Sequence, residues 1–598
     1  MNTLSRSNSW ILRFVPALLV CSTLVAAMLP AQRESAPLIP LNDLKAGMKG
    51  EVWTVFKGQD PEAFTVEVTG IVRNALGPGK SLILCALTDQ RVQSMGAVAG
   101  MSGSPLYIDG KLAGVLAYQI QRFETVRYAG FTPIADMLEL SALPGPGTTS
   151  TGPAPIPIKT SDGERSTSSD YRPLQPAFSL GGLAPSVAAL FESRFNAMGL
   201  SAVALGGSTQ GSADRDYQPA PHPRLRPGDV VAVALATGDI SLAGTGTVSR
   251  VDGNRILAFG HPMLSLGATE LPMANAEVVA ILPSQFNSIK VSNTGAVIGT
   301  FSQDRLSGIY GEVGRKPQMV PVEVTFPGNL SRRPLRFEVV RHELVLPTVA
   351  ATGLTQAVLG SNESGFSKGF RLTTTVEFPG VEPIQLSQIY PGPQGFSQGL
   401  NDFVGNLSLW IFNPYERTFP SMLRFSVEAM PETPVGNVES MQLSRAAASP
   451  GDVVHATVGW RGYQLEGQGL LTNIPIAADW AGKKLEVILT SGPALDELSG
   501  RPSAVPAAQL RNFDAYLSAL RNVRRSDGLY LAVVERTRLF TDQRATTSEL
   551  PGTFERIASG ADEARFQRRE ALVPLWEVHL LPDRLFNILV RRPLQITD

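Results

Sequence analysis

Apolar and polar residues alternate along Glu51-Val-Trp-Thr-Val-Phe56 and Phe64-Thr-Val-Glu-Val-Thr-Gly-Ile-Val72. A period of two puts every second side chain on one face of an extended strand. Shorter apolar runs follow at Leu82–Leu87, Leu106–Ile108 and Ala113–Ala117, with turn signals such as Asp109-Gly110 between them. These runs predict a compact β unit over residues 38–143, a small barrel. Residues 144–227 read as a linker rich in Pro, Gly, Ser and Thr. Within it, Pro185 to Leu200 is a helical candidate, with Val187, Leu190, Phe191, Phe195 and Met198 near helical spacing. A second β unit is predicted over 228–345. A β module follows over 346–435, where Leu372–Phe378 and Leu407–Phe412 alternate. A β-sandwich module is expected over 436–500, with Asp452–Trp460 as one strand, and a mixed α/β region over 501–598. There Leu510, Phe513, Leu517 and Leu520 fall on one helical face. The predicted class is mostly β and multidomain, and no clean internal repeat is legible.

Composition agrees with that class and narrows the functions. A chain of 598 residues exceeds what one hydrophobic core holds. The 56 glycines and 45 prolines favour turns and short strands over long helices. The net charge of −1, without any run of five basic residues, argues against nucleic acid or an anionic membrane surface as partner. Cys21 and Cys85 are the two cysteines. Cys85 lies in an apolar strand run and reads as a core residue, and a cysteine-rich zinc site is excluded by number. No His-x-x-x-His or Cys-x-x-Cys spacing occurs, so neither a metal nor a cofactor is implied.

The N-terminus suggests export. Arg6 and Arg13 precede an uncharged run from Phe14 to Gln32, with small residues suited to cleavage after Ala27 or Ala31. Residues 1–31 therefore read as a signal peptide, and the expected location is periplasmic or extracellular. The alternative is an uncleaved anchor, since the run is long enough to span a bilayer. That segment is the one expected membrane contact. If it is removed, Cys85 alone remains and no intrachain disulfide can form.

The segment Gly100-Met-Ser-Gly-Ser-Pro105 carries the candidate chemistry. Glycines on both sides of a serine let the backbone fold tightly, so that amide N–H groups converge beside the hydroxyl and hold an oxyanion. Ser102 is the candidate nucleophile, with the amides of Gly100 and Ser102 as oxyanion donors, and Ser104 is a residue that would shape the loop. A plain Gly-Ser turn is the competing reading.

The run from Gly96 through Gly-Met-Ser-Gly-Ser-Pro to Tyr118 resembles the nucleophile segment of SpoIVB-type serine peptidases, the sporulation stage-IV protein B family. It is more loosely similar to the Gly-Asp-Ser-Gly-Gly-Pro loop of chymotrypsin-like enzymes, with Met101 in place of the acidic residue and Ser104 in place of the second Gly. A second stretch, Gly244-Thr-Gly-Thr-Val-Ser through Phe259-Gly-His-Pro262, resembles the segment around that family's catalytic histidine. The resemblance implies chymotrypsin-like barrel units, Ser102 as nucleophile, and His261 as general base. It also implies an acidic residue shortly before the serine, a place held by Asp89. Asp304, Glu270 and Glu277 are further acidic candidates. In the family the histidine segment comes first; here Ser102 precedes His261, and no PDZ-like domain is evident.

The implied activity is an envelope serine endopeptidase acting on a protein or peptide substrate through an acyl-enzyme. Ser102 Oγ is then expected within hydrogen-bond reach of a His261 ring nitrogen, or about 5 Å from it in a resting form. A non-catalytic β-rich envelope scaffold or protein-binding module is the other reading, favoured by the exchanged order and by Met101.

Overall fold

The computed structural model describes residues 33–120, 126–145, 171–174, 176–200, 202–203, 207–208, 224–284, 288–327, 333–360, 366–411, 418–500, 512–541, 546–547 and 567–597. The expected signal peptide lies outside these residues, as does 146–170 of the expected linker. Strands dominate, in agreement with the mostly β, multidomain expectation. The chain divides into two compact units. Among the described residues, one holds those up to Met319 together with Phe337–Arg341, and the other holds Val320–Arg336 and those from His342 onward.

The first unit contains two closed rings of six strands. Ring one uses β1 (Lys49–Val55), β2 (Pro61–Gly77), β3 (Lys80–Leu87), β4 (Pro105–Ile108), β5 (Lys111–Ile120) and β6 (Tyr128–Pro133). These pair in the order β1-β2-β3-β6-β5-β4, and β4 returns to β1, all antiparallel. Five of the strands, β1 to β5, are the alternating or apolar runs of the sequence. Val52, Phe64, Val66, Val68, Ile83, Cys85, Leu106, Leu116 and Phe131 meet inside the ring. Closure leaves no edge strand exposed.

Between the rings come β7 (Tyr171–Pro173) beside β5 and β8 (Ala177–Gly181) beside the second ring, together with a helix at Pro185–Ala197. Two short pieces, β9 (Ala202–Val203) and β10 (Gly207–Ser208), run parallel to β8 and to a strand of the second ring. Pro185 at the first helical position and the buried Val187, Phe191 and Phe195 account for this helix.

Ring two uses β11 (Val230–Gly238), β12 (Ser241–Asp252), β13 (Arg255–Ala258), β14 (Gly267–Leu282), β15 (Ile289–Arg305) and β16 (Gly308–Val313). The pairing runs β11-β12-β13-β16-β15-β14 and back to β11, again all antiparallel. Counted from its own first strand, each ring therefore has the order 1-2-3-6-5-4. The duplication is one of topology, invisible in the residues. The rings share apolar contacts: Leu257 and Tyr310 of ring two pack with Tyr107, Leu112, Val115, Ile134 and Met137, while Val55 packs among Val230, Ala232, Ala274, Ala276 and Val278.

In the second unit, Phe370–Glu377 lies between Ile384–Tyr390 and Met422–Ala429. Gly436–Leu443, Val453–Gly462 and Gly467–Pro475 form a three-stranded sheet. Lys484–Thr490 pairs with both Leu529–Thr541 and Leu589–Ile596, so one sheet runs across residue 500, where the sequence suggested a boundary. Two expectations are corrected. The alternating run at Leu407 belongs to a helix, Leu400–Ile411, not a strand. Its buried residues are Leu400, Phe403, Val404, Leu407 and Ile411, a helical period visible only over the longer window. The module expected to be β from 346 also opens on a helix, Val345–Leu359, buried nearly all round. The predicted helical face near the C-terminus lies on the helix Phe513–Arg521; Leu510 is outside the described residues.

Candidate active site

The serine loop connects the third and fourth strands of ring one. A helix, Gln90–Met95, follows β3 and ends at Gly96 with φ 71°. The chain then turns through Gly100 and Gly103, both at φ 93°, a region closed to most side chains. Met101 N donates to Val98 O at 2.9 Å, and Ser104 N donates to Met101 O at 3.1 Å. The Ser104 hydroxyl donates to the same Met101 oxygen at 2.6 Å, so Ser104 shapes the loop. Gly103 N bonds Leu116 O and Leu116 N bonds Ser104 O, which ties the loop to β5.

The histidine turn occupies the equivalent place in ring two, between its third and fourth strands. Phe259 and Gly260 stand at φ 69° and 70°. A buried phenylalanine in that region is strained backbone, held by its surroundings. Its ring lies over Gly246, where an added Cβ would be 2.7 Å from Phe259 Cε2. Thr132 Oγ1 of β6 donates to Gly260 O at 2.6 Å. Asp304, at the end of β15, accepts from the amides of Met263 (2.7 Å), Leu264 (2.8 Å) and Leu266 (3.2 Å). Burial pushes the Asp304 carboxyl above the usual range, and these amides work against that push.

The two loops interlock. Thr247 N of β12 donates to Ser102 O at 2.8 Å, and Ser249 Oγ donates to Gly103 O at 2.9 Å. Gly103 sits so close that an added Cβ would stand 2.2 Å from Thr247 O and 2.4 Å from Phe259 N. Gly260 sits equally tightly against β5, with an added Cβ 2.4 Å from Val115 Cγ2. The Ser102 and His261 segments, far apart in the chain, therefore pack against each other.

Ser102 and His261 are both fully buried. Ser102 Oγ and His261 Nε2 have no hydrogen-bond partner among the described residues, so the two are not bonded to one another. The expected Ser102–His261 hydrogen bond is not formed. His261 Nδ1 lies 2.7 Å from Pro262 O. A carbonyl oxygen only accepts, so Nδ1 carries the proton and Nε2 keeps its lone pair. Burial lowers the imidazole to about 4 against the weaker opposing pull of the Pro262 carbonyl, and His261 is neutral at neutral pH. The amides of Gly100 and Ser102 also donate to no described residue.

The acidic candidates separate. Asp89 caps the helix Gln90–Met95 by accepting from Arg91 N at 2.8 Å, and its carboxylate is held by the Arg91 guanidinium, which also lowers its pKa. It orients Arg91, not the histidine, because Thr-Asp ahead of a helix is an N-cap. Glu270 pairs with Arg315, and Glu277 is exposed on β14. Asp304 alone of the four is bonded to the turn that carries His261. The anchors Thr132, Thr247 and Ser249 went unread in the sequence, because hydroxyl residues on alternating strands carry no local signal of an interstrand bond. A hollow of about 970 Å³ on the outer face of ring one is walled by Arg33, Lys49, Trp53 and Tyr107, and by neither Ser102 nor His261. Among the described residues no cluster of acidic, histidine and cysteine side chains is suited to hold a metal ion.

No curated protein and no solved structure matches the chain. A family model described as SpoIVB peptidase S55 matches residues 26–135, which takes in ring one and the serine loop and stops short of His261. Over that segment the chain is similar to the serine peptidase domain of the SpoIVB type.

Proposed function

We propose that this protein is an exported serine endopeptidase of the cell envelope, with Ser102 as nucleophile, His261 as general base and a protein or peptide as substrate. The observation that carries the reading is the pair of buried, unpartnered polar atoms, Ser102 Oγ and His261 Nε2, on loops that interlock. An unpaired buried polar atom is costly and calls for a role. Ser102 Oγ attacks the substrate carbonyl carbon while His261 Nε2 takes the hydroxyl proton. The amides of Gly100 and Ser102 hold the oxyanion. His261 returns the proton to the leaving amine, and water then releases the acyl group by the same route. Asp304 holds the histidine turn through backbone amides and replaces Asp89 as the acidic member of the site. Because the two rings share one strand order and both loops occupy the same place in it, the site does not depend on which ring comes first in the chain.

The test is labelling by an alkyl fluorophosphonate. Wild type is labelled, Ser102→Ala is not, and His261→Gln slows labelling by about a thousandfold or more. Label that persists in Ser102→Ala refutes the assignment. The full burial of both side chains favours a second reading, a peptidase-like β-rich envelope scaffold. Failure of the wild type to react, in a protein that is folded by circular dichroism, would support it.

A further inference from the structure

The β14–β15 hairpin reaches out of ring two to the segment that leads into Ser102. Val278 and Gly58 exchange both backbone hydrogen bonds, at 2.7 and 2.9 Å. Nearer the site, Ala99 N donates to Ser288 O at 2.8 Å and Lys290 N donates to Ala99 O at 3.0 Å. Ser288 Oγ donates to Met95 O at 2.7 Å. The peptide between Ala99 and Gly100 is planar and trans, so its C=O and N–H point in opposite directions. Holding Ala99 O on β15 therefore fixes where Gly100 N–H points, and Gly100 N–H is one of the two oxyanion donors.

The Lys290 side chain secures the same spot. Its stem lies along Gly100, where an added Cβ would stand 3.2 Å from Lys290 Cβ and 3.4 Å from Cδ. Its Nζ donates to Thr54 Oγ1 of β1 at 2.8 Å. The residue is 2 % exposed. Burial lowers its amine to about 7, with no charged group contributing to the shift. An amine buried without a counter-charge works against stability. Departures of this kind from the rules of packing concentrate at functional sites.

We propose that Lys290 is a positioning residue of the peptidase site, which with Thr54 pins β15 against Ala99–Gly100 and so aims the Gly100 amide at the oxyanion. This rests on the serine peptidase reading given above. The experiment uses the full chain, with Lys290→Met and Thr54→Val singly and together, and an alkyl fluorophosphonate over a range of concentrations. The limiting rate of phosphonylation is expected to fall about tenfold or more in each variant. The half-saturating concentration stays unchanged, and the double variant is no slower than the slower single one. Lys290→Met melts no lower than wild type, because it removes a desolvated amine, so the loss is not one of folding. Limiting rates equal to wild type overturn the proposal, as do rates that merely follow the folded fraction.

A second arm separates failure of this proposal from failure of the peptidase reading. Amide hydrogen exchange over residues 96–104 is expected to quicken in Lys290→Met at unchanged global stability. If wild type does not react with the phosphonate, the peptidase reading falls and exchange decides alone. Quickened exchange upholds the clamp on the loop, and unchanged exchange overturns it.

Discussion

His261 is a histidine kept neutral by its surroundings. With Nδ1 tied to Pro262 O and its pKa near 4, it has its base form ready across the whole neutral range. Phosphonate labelling is therefore expected to stay flat from pH 8 to about 5 and to decline only as pH falls through about 4. A decline centred near 6.5 would mean that the imidazole is solvated. The same shift bears on stability. The folded pKa lies below the unfolded value of 6.5, so between 6.5 and about 4 the unfolded chain takes a proton that the folded chain refuses. The contribution is fully present above 6.5 and is lost as pH falls to about 4. It amounts to about 3 kcal/mol, and urea denaturation against pH measures it; His261→Asn flattens that dependence. Cys85 behaves as its apolar strand predicted: it is fully buried, and burial pushes its thiol up and leaves it inert. Asp89 shows the limit of residue-scale reading. An aspartate before a serine loop suits an orienting acid and a helix cap equally well, and Arg91 two residues on decides for the cap.

Strands, helices and turns were legible to different degrees. The alternating runs at 51–56 and 64–72 are strands β1 and β2, because a ring buries one face of each strand and leaves the other outside. The glycines of the serine loop are turn formers, and at Gly103 the requirement is twofold: φ of 93° and a backbone oxygen 2.2 Å from any added Cβ. Gly103→Ala is expected to cost about 3 kcal/mol or more in chemical denaturation and to abolish labelling. Gly110→Ala, with a positive φ of 73° but open space, is expected to cost about 1 kcal/mol and to leave labelling intact. The misread run at Leu407 has a definite cause. Six residues of alternation cannot exclude a helix, and the apolar positions from Leu400 to Ile411 follow the 3.6 period.

Over the whole molecule, each unit has its own apolar core, and the buried polar contacts beside it differ. The first interlocks two rings through glycines and hydroxyl groups. The second buries Arg524 with Asp496, while Glu577 binds the other edge of the guanidinium. Removing the arginine breaks this ion pair, in which Arg524 and Asp496 are 2 % and 1 % exposed. Arg524→Leu is therefore expected to cost about 3–5 kcal/mol in the denaturation of the second unit. Phosphonate labelling of Ser102 in the folded fraction should be unchanged; a slowed rate there would tie the second unit to the chemistry. From the sequence alone came the strand-rich class, the two glycine-bearing loops and the residue types suited to acyl transfer, since period, turn chemistry and side-chain reactivity are local properties. Tertiary structure alone decided that both rings close in one strand order, that Asp304 and not Asp89 meets the histidine turn, and that Lys290 lies against Gly100. Each of those facts depends on which strand pairs with which, and pairing is set by burial across long separations that no short window of residues contains.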